Sequence, residues 1–324
     1  MIVTLTLNPS LDRTIEIGEL VRGDVIRATA AHLEPGGKGV NVSRALLANG
    51  VPSRALVPCG GDEGGQLIRL LRAEGVDVRA LPISGRTRSN ITLAEPDSTV
   101  TKINEPGPEL SAGEFTAVTD QVLAEAGAGG CVVACGSAPP GLPTEAFREL
   151  CTRVVAAGDT LVVDTSGPAL RAAATAGAAL LKPNRDELAE VVGRPLTCFD
   201  DVVDAAQELR SWGAGAVLAS LGADGAVLVD AGGVLAGAAP VPRPRSSVGA
   251  GDALLAGFLA AGGVAAAGEG DPERAAVALT EALAWGAAAV SLPGSRMPRP
   301  ADIRRETVRL HPRPDRARPL PTPN

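Results

Sequence analysis

The chain has 324 residues, a formal net charge of −7 and a hydrophobic fraction of 45%, yet only four Phe, two Trp and no Tyr. Such a length buries about three quarters of its unfolded surface, in one large α/β domain or two smaller ones, and here the core must be filled by aliphatic side chains. Nucleic-acid affinity needs many cations to neutralise phosphates, and single strands need aromatic platforms, so a general nucleic-acid binder is excluded; small phosphorylated ligands need only one local cationic cluster.

Ile2, Val3, Thr4 and Leu5 lead straight to polar Asp12 and Arg13, without the basic segment and long apolar stretch of a secretion signal. Apolar runs over 2–7, 55–57, 131–134, 160–163, 179–181, 216–219 and 226–229 read as strands. Segments of helical period over 40–49, 66–74, 144–157 and 202–212 fall between several of them. That alternation predicts an α/β fold with a mostly parallel central sheet covered by helices on both faces.

Residues 14–20, 90–95 and 100–103 alternate apolar and polar with period two instead, so strands there bury one face. They are assigned to a small antiparallel β lid, whose wet face covers a ligand and whose other face meets a second subunit; an ordinary surface hairpin fits the pattern equally well. The expected division is a core over 1–12, 28–84 and 106–310, a lid over 13–27 and 85–105, and a disordered Pro-rich tail over 311–324, where repeated Pro excludes a helix or a central strand.

The apolar runs over 259–267 and 283–290 fall short of the ~20 residues that span a bilayer, so no membrane association is expected. Cys59, Cys131, Cys135, Cys151 and Cys198 form no CxxC pair and have only two His beside them, so they read as reduced thiols rather than a zinc site or a disulfide framework. A cytoplasmic location follows as an expectation.

The segment Ser247-Val248-Gly249-Ala250-Gly251-Asp252 runs directly into an Ala/Leu helix. Three small residues, Gly249, Ala250 and Gly251, let backbone N–H groups converge, and the helix N-terminus adds partial positive charge, an arrangement suited to a phosphoryl group in transit. Asp252 stands beside that position; a carboxylate there also serves as an ordinary helix N-cap, though a cap alone needs no Gly-Ala-Gly before it. The segment is no dinucleotide fingerprint, since Leu254 replaces the third Gly, and Gly37-Lys38-Gly39 lacks the Ser or Thr of a Walker A loop.

This loop resembles the carboxy-terminal signature of the ribokinase-like (PfkB) carbohydrate kinases. Companion segments appear in the family's order: Leu7-Asn8-Pro9-Ser10-Leu11-Asp12; the Gly-rich Pro35-Gly36-Gly37-Lys38-Gly39-Val40-Asn41; Asn184-Arg185-Asp186-Glu187; and Ser220-Leu221-Gly222-Ala223-Asp224-Gly225. Each alone also reads locally, as a strand-ending turn, a turn into a helix, a solvated carboxylate or a hairpin turn. The resemblance implies a three-layer α/β/α sandwich and an ATP-dependent kinase needing Mg²⁺.

It further implies roles for individual residues. Asp252 becomes the base on the acceptor hydroxyl, with Gly249, Ala250 and Gly251 as the anion hole. Asp12, Gly36, Gly37 and Asn41 hold the sugar, with Lys38 and Arg88 on its existing phosphate and Arg27 and Ser137 beside them. Lys182, Asn184, Ser220, Gly222, Ala223, Gly225, Gly249 and Gly251 contact the nucleotide, and Asn184 and Glu187 reach the metal through water. The cations at Lys38 and Arg88 point to the branch that acts on ketohexose monophosphates, with fructose 1-phosphate as first choice and fructose 6-phosphate or tagatose 6-phosphate as alternatives. Kinases of unphosphorylated sugars or nucleosides would dispense with those cations, and a non-catalytic sugar-phosphate sensor would tolerate loss of the base. A homodimer through the lid is expected. Cys135 and Ala138 depart from the family's usual Ser and Leu, and Lys102 stands where several relatives have Glu.

Overall fold

The computed structural model describes residues 1–97, 99–311 and 317–321. Among these, ten strands form one sheet in the order β14-β13-β12-β11-β10-β9-β8-β1-β4-β5: β1 (Ile2–Thr6), β4 (Ser53–Cys59), β5 (Asp77–Pro82), β8 (Cys131–Cys135), β9 (Thr160–Asp164), β10 (Leu180–Leu181), β11 (Ala216–Ser220), β12 (Ala226–Asp230), β13 (Gly233–Ala238) and β14 (Arg309–His311). Pairing is parallel from β5 through β11 and antiparallel from β11 to β14.

Strand alternation sorts side chains onto two faces. Val132, Ala134, Leu161 and Val163 pack on one face against Phe115, Phe147, Leu170 and Val202 of the helices Ala112–Ala126, Thr144–Ala156, Gly167–Thr175 and Phe199–Ser211. Val133, Cys135, Val162 and Leu218 pack on the other against Leu46, Phe258 and Leu279 of the helices Lys38–Ala48, Ala250–Ala260 and Pro272–Val290. Both faces are therefore covered, which is why these strands read as unbroken apolar runs. Trp285, 3% exposed, lies in this second layer and donates from its indole N–H to Glu281 Oε2 at 3.0 Å.

A second sheet has the order β3-β2-β6-β7, from β2 (Ser10–Glu16), β3 (Ala30–Gly36), β6 (Arg88–Ala94) and β7 (Val100–Asn104). The expected lid differs in two respects. Its central β2–β6 pairing is parallel, the β2–β3 and β6–β7 pairings being antiparallel. It also takes in Ser10, Leu11, Asp12 and the whole of β3, which had been assigned to the core. The register places Ser10 beside Arg88 and Asp12 beside Asn90, with Asn104 next in line, so one face of the small sheet is a polar row. Ile15, Leu93, Ile91 and Ile103 form the other.

The tail also departs from expectation. His311 ends β14 on the edge of the main sheet, and Leu320 is 8% exposed within the core cluster on the first face. An extended Pro-rich segment still offers carbonyls and the Leu320 N–H, and these dock it; residues 312–316 and 322–324 of the expected tail lie outside the described residues. All five cysteines are free, with Cys59, Cys135 and Cys151 buried. No single helix among the described residues is long and apolar enough to cross a membrane.

Candidate active site

From β1 the chain steps to β4 on one side, while β8 lies on the other and leads to β9. Such a reversal of strand order leaves a crevice beyond the carboxyl ends of the strands. A cleft of about 880 Å³ occupies it, roofed by the polar face of the small sheet. Its lining includes, of the residues singled out from sequence, Asp12, Gly37, Lys38, Asn41, Arg88, Ser137, Lys182, Asn184, Glu187, Ser220, Gly222, Ala223, Gly225 and the run Gly249–Asp252.

Two expected residues do not line it. Arg27 stands exposed on the loop between β2 and β3, because that loop runs out beyond the small sheet. Gly36 supports the cleft from behind: a Cβ there would come within 2.4 Å of the Asp12 carboxyl carbon, so only glycine leaves room for that side chain.

Gly249, with φ of 75°, turns the chain into the helix Ala250–Ala260, and Asp252 falls in its first turn. The first N–H groups of a helix lack intrahelical partners, so this turn presents donors and the positive end of the dipole to the cleft. Asp252 is not the N-cap. It is 6% exposed, and its Oδ2 accepts from Asn41 Nδ2 at 2.8 Å. Burial, reinforced by the negative charge of Asp164, pushes its pKa up to about 6, against the Asn41 hydrogen bond and the charges of Lys182 and Lys38. Asn41 thus engages the expected base, where sequence had set it on the sugar; its Oδ1 faces Arg44 at 3.4 Å.

Asp164, at the end of β9 and fully buried, had not been singled out. It joins two cations: Lys38 Nζ lies 2.8 Å from Oδ1 and Lys182 Nζ 2.9 Å from Oδ2. Lys38 also donates to Glu187 Oε1 at 2.9 Å. Burial works against the Lys38 charge, but the two carboxylates outweigh it and hold its pKa above the usual lysine range. Lys38, expected as a free phosphate ligand, is therefore already neutralised on both sides in this structure. A carboxylate closing an apolar run at a parallel strand's carboxyl end was the signal that could have found Asp164.

Asn184 and Glu187 form a reciprocal capping box at the start of the helix Arg185–Val192. Glu187 N donates to Asn184 Oδ1 and Asn184 N to Glu187 Oε2, both at 2.8 Å. Glu187, read locally as a solvated carboxylate, is instead engaged by the Asn184 N–H and by Lys38, and both Asn184 and Glu187 line the cleft. Among the described residues no group of three His, Cys, Asp or Glu could enclose a metal ion. Mg²⁺, however, keeps several waters and takes substrate phosphates with one or two carboxylates, and Glu187 with neighbouring Asp164 fits that limited requirement.

On the opposite wall Asp12 Oδ1 accepts from Ser10 Oγ at 2.6 Å and Asn90 Nδ2 at 3.0 Å. Arg88 donates to Glu105 O and Asn8 O, each at 3.1 Å, while its buried Nε has no partner. Burial lowers the Arg88 pKa against the pull of Asp12 and Glu105. Asn90 Oδ1 and Asn8 Oδ1 are likewise buried without partners. Asn8, Ser10, Asn90 and Asn104 were missed as lining residues; period-two alternation placed Asn90 on a strand but said nothing of what its polar face meets.

A dry carboxylate beside a helix N-terminus, facing cationic and hydroxyl-binding groups across a nucleotide-sized cleft, defines an α/β enzyme that handles phosphoryl groups. Residues 5–301 match the pfkB family carbohydrate kinase, and the chain belongs to that family, phosphotransferases with an alcohol as acceptor. It is 38% identical over 257 residues to the ATP-dependent 6-phosphofructokinase isozyme 2 of Escherichia coli (strain K12), covering 78% of this chain and 83% of that protein. It is 36% identical over 262 residues to the 1-phosphofructokinase of Bacillus subtilis (strain 168), covering 80% and 85%. Among solved structures, phosphofructokinase-2 from Escherichia coli in complex with potassium aligns with a TM-score of 0.85 at 34% identity, over 93% of this chain and 96% of that one. The ribokinase-like α/β/α sandwich expected from the resemblance is the fold observed.

Proposed function

We propose that the chain phosphorylates a fructose phosphate with Mg·ATP, and that its acceptor is fructose 1-phosphate, giving fructose 1,6-bisphosphate. The observation that carries the reading is Asp252: a buried carboxylate with its pKa raised toward neutrality, in the first turn of a helix whose N-terminus opens into the same cleft as Arg88. The names of the relatives set the substrate class, a fructose phosphate, and the ATP donor.

Phosphoryl transfer needs alignment, a base at the acceptor hydroxyl and neutralisation of charge on the migrating group. Asp252 takes the hydroxyl proton onto its carboxylate. The N–H groups of Gly249, Ala250 and Gly251 hold the phosphoryl oxygens, and Lys182, whose Nζ would be 3.5 Å from a Cβ at Gly251, adds positive charge beside them. Arg88, with its unpartnered Nε, takes the phosphate already on the sugar, since a guanidinium matches phosphate geometry. Asp12, Asn90 and Ser137 take sugar hydroxyls; Ser220, Gly222, Ala223, Gly225 and Asn184 form the nucleotide wall. Glu187 and Asn184 would hold Mg²⁺ through water, and the ion would supply charge neutralisation on the ATP phosphates.

A ketohexofuranose is nearly symmetric end to end, so fructose 6-phosphate can place its phosphate on Arg88 and offer its 1-hydroxyl to the same base. The 38% identity to the 6-phosphofructokinase isozyme favours that second reading, against 36% to the 1-phosphofructokinase. The test is ADP release measured with fructose 1-phosphate, fructose 6-phosphate, tagatose 6-phosphate, fructose and adenosine. The highest kcat/KM belongs to fructose 1-phosphate; a higher value for another ketohexose phosphate replaces the substrate, and no ATP consumption with any of them removes the kinase reading.

The protein works as a cytoplasmic homodimer. Its contact is the apolar face of the small sheet, where Ile103 is 54% exposed and Ile15, Ile91 and Leu93 share its side.

A further inference from the structure

Residues 317–321 return to the body of the molecule beside the cleft. Leu320 N donates to Thr197 O at 2.8 Å and Phe199 N to Arg318 O at 3.0 Å, making an antiparallel bridge between Cys198 and Pro319. The buried Leu320 anchors this contact in the core.

From that anchor two contacts reach the wall of the cleft. Arg318 Nη2 pairs with Asp224 Oδ1 at 2.5 Å, and Asp224 belongs to the 3₁₀ turn Gly222–Asp224, whose neighbours Gly222, Ala223 and Gly225 line the cleft. Arg185 Nη1 donates to Pro321 O at 2.6 Å, and Arg185 follows directly on the cleft-lining Asn184. Three backbone hydrogen bonds close the turn on itself: Leu221 N to Gly225 O, Asp224 N to Leu221 O and Gly225 N to Gly222 O. Its glycines, at φ of +61° for Gly222 and +93° for Gly225, sit where side chains are strained and the backbone has most freedom to lose. An ion pair from a segment anchored by a buried leucine restricts that freedom before a ligand arrives. Preorganisation of this kind appears as affinity for the ligand the turn contacts.

We infer that residues 317–321 form a strap in which Arg318 is a positioning residue for the nucleotide wall, setting donor affinity through Asp224 without touching the donor. The inference rests on the reading of 220–225 as the nucleotide side. The acceptor side lies across the cleft on the small sheet, where the strap makes none of the contacts described here, so the effect falls on one substrate.

The test is calorimetric titration of Mg·ATP into wild type, Arg318→Ala, Arg318→Lys and the charge exchange D224R/R318E, without any sugar phosphate, followed by steady-state kinetics. Arg318→Ala weakens ATP binding and raises its KM about three- to fivefold, near the upper limit for a partly exposed ion pair. The KM for the fructose phosphate and kcat stay unchanged, and Arg318→Lys and the charge exchange recover most of the affinity. Wild-type affinity in Arg318→Ala, an equal rise in both KM values, or no recovery on charge exchange overturns the strap while leaving the kinase reading intact. A wild-type protein that binds no ATP removes the nucleotide reading itself, and the strap with it.

Discussion

Asn41 and Asp252, 211 positions apart in the chain, meet through a 2.8 Å hydrogen bond from the amide Nδ2 to the carboxylate Oδ2. The contact joins the start of one helix to the start of another and engages one oxygen of a carboxylate whose residue lines the cleft. Because an amide N–H stabilises only the charged acceptor strongly, the bond opposes the desolvation that raises the Asp252 pKa.

Asp252→Asn lowers kcat by about 10²–10⁴-fold, the usual contribution of a general base, while ATP and sugar phosphate still bind. The same variant has a stability signature. The Asp252 pKa is raised from the ordinary carboxylate value of 3.8 to about 6 in the fold, so the folded state holds the proton more tightly. The associated stability is present below the unfolded value and lost as pH rises through the folded one, at about 3 kcal/mol for a shift of this size. Thermal melts therefore show Asp252→Asn gaining on wild type above pH 6, and the gap closing below pH 4. Equal melting temperatures across that range would show that the carboxylate is not desolvated.

Wild-type kcat rises through about pH 6 as the base ionises. Asn41→Ala moves that midpoint to higher pH by about one to two units, since a hydrogen bond to a charged group contributes about 1.5–3 kcal/mol. Rate is recovered on raising the pH. An unmoved profile with a raised sugar KM would return Asn41 to the role of a hydroxyl ligand.

Asp164→Asn moves the midpoint the other way, because the Asp164 charge is among the forces holding the Asp252 pKa up. It also strands the Lys182 ammonium, whose side chain is 4% exposed. Breaking a buried pair typically costs about 3–5 kcal/mol, read as a lower urea midpoint. Unchanged stability would mean that Lys182 finds another partner.

Arg88→Ala raises KM for the fructose phosphate more than for fructose itself, by an order of magnitude or more if the guanidinium grips the phosphate through charge-assisted bonds. Matching increases for the two sugars would take Arg88 out of the phosphate site.

Much of this site was legible because its parts carry local signatures. Gly249 through Asp252 announce a turn into a helix, and Asn184 with Glu187 announce a candidate ligand pair, though not the capping box that they form. The parallel core was equally visible, since strands such as 131–134 and 160–163 are apolar on both faces. What sequence could not supply were partners in space. Lys38 reads as a free cation until Asp164 and Glu187 are seen beside it, and Asn41 reads as a sugar ligand until Asp252 is. The parallel β2–β6 pairing joins segments whose alternation is the same for either direction. The tail was misread because proline statistics speak against helix and central strand but not against docking in extended form.

With Tyr absent, the near-ultraviolet absorbance and emission of the chain rest on Trp212 and Trp285. Trp212 has the Arg171 guanidinium 4.4 Å from its ring centre, while Trp285 is enclosed in the helix that also presents Leu283, Gly286, Ala287 and Val290 to the cleft. One indole thus sits against a cation and the other directly behind the apolar end of the cleft. The molecule carries a built-in optical probe one residue removed from the surface on which a ligand would settle.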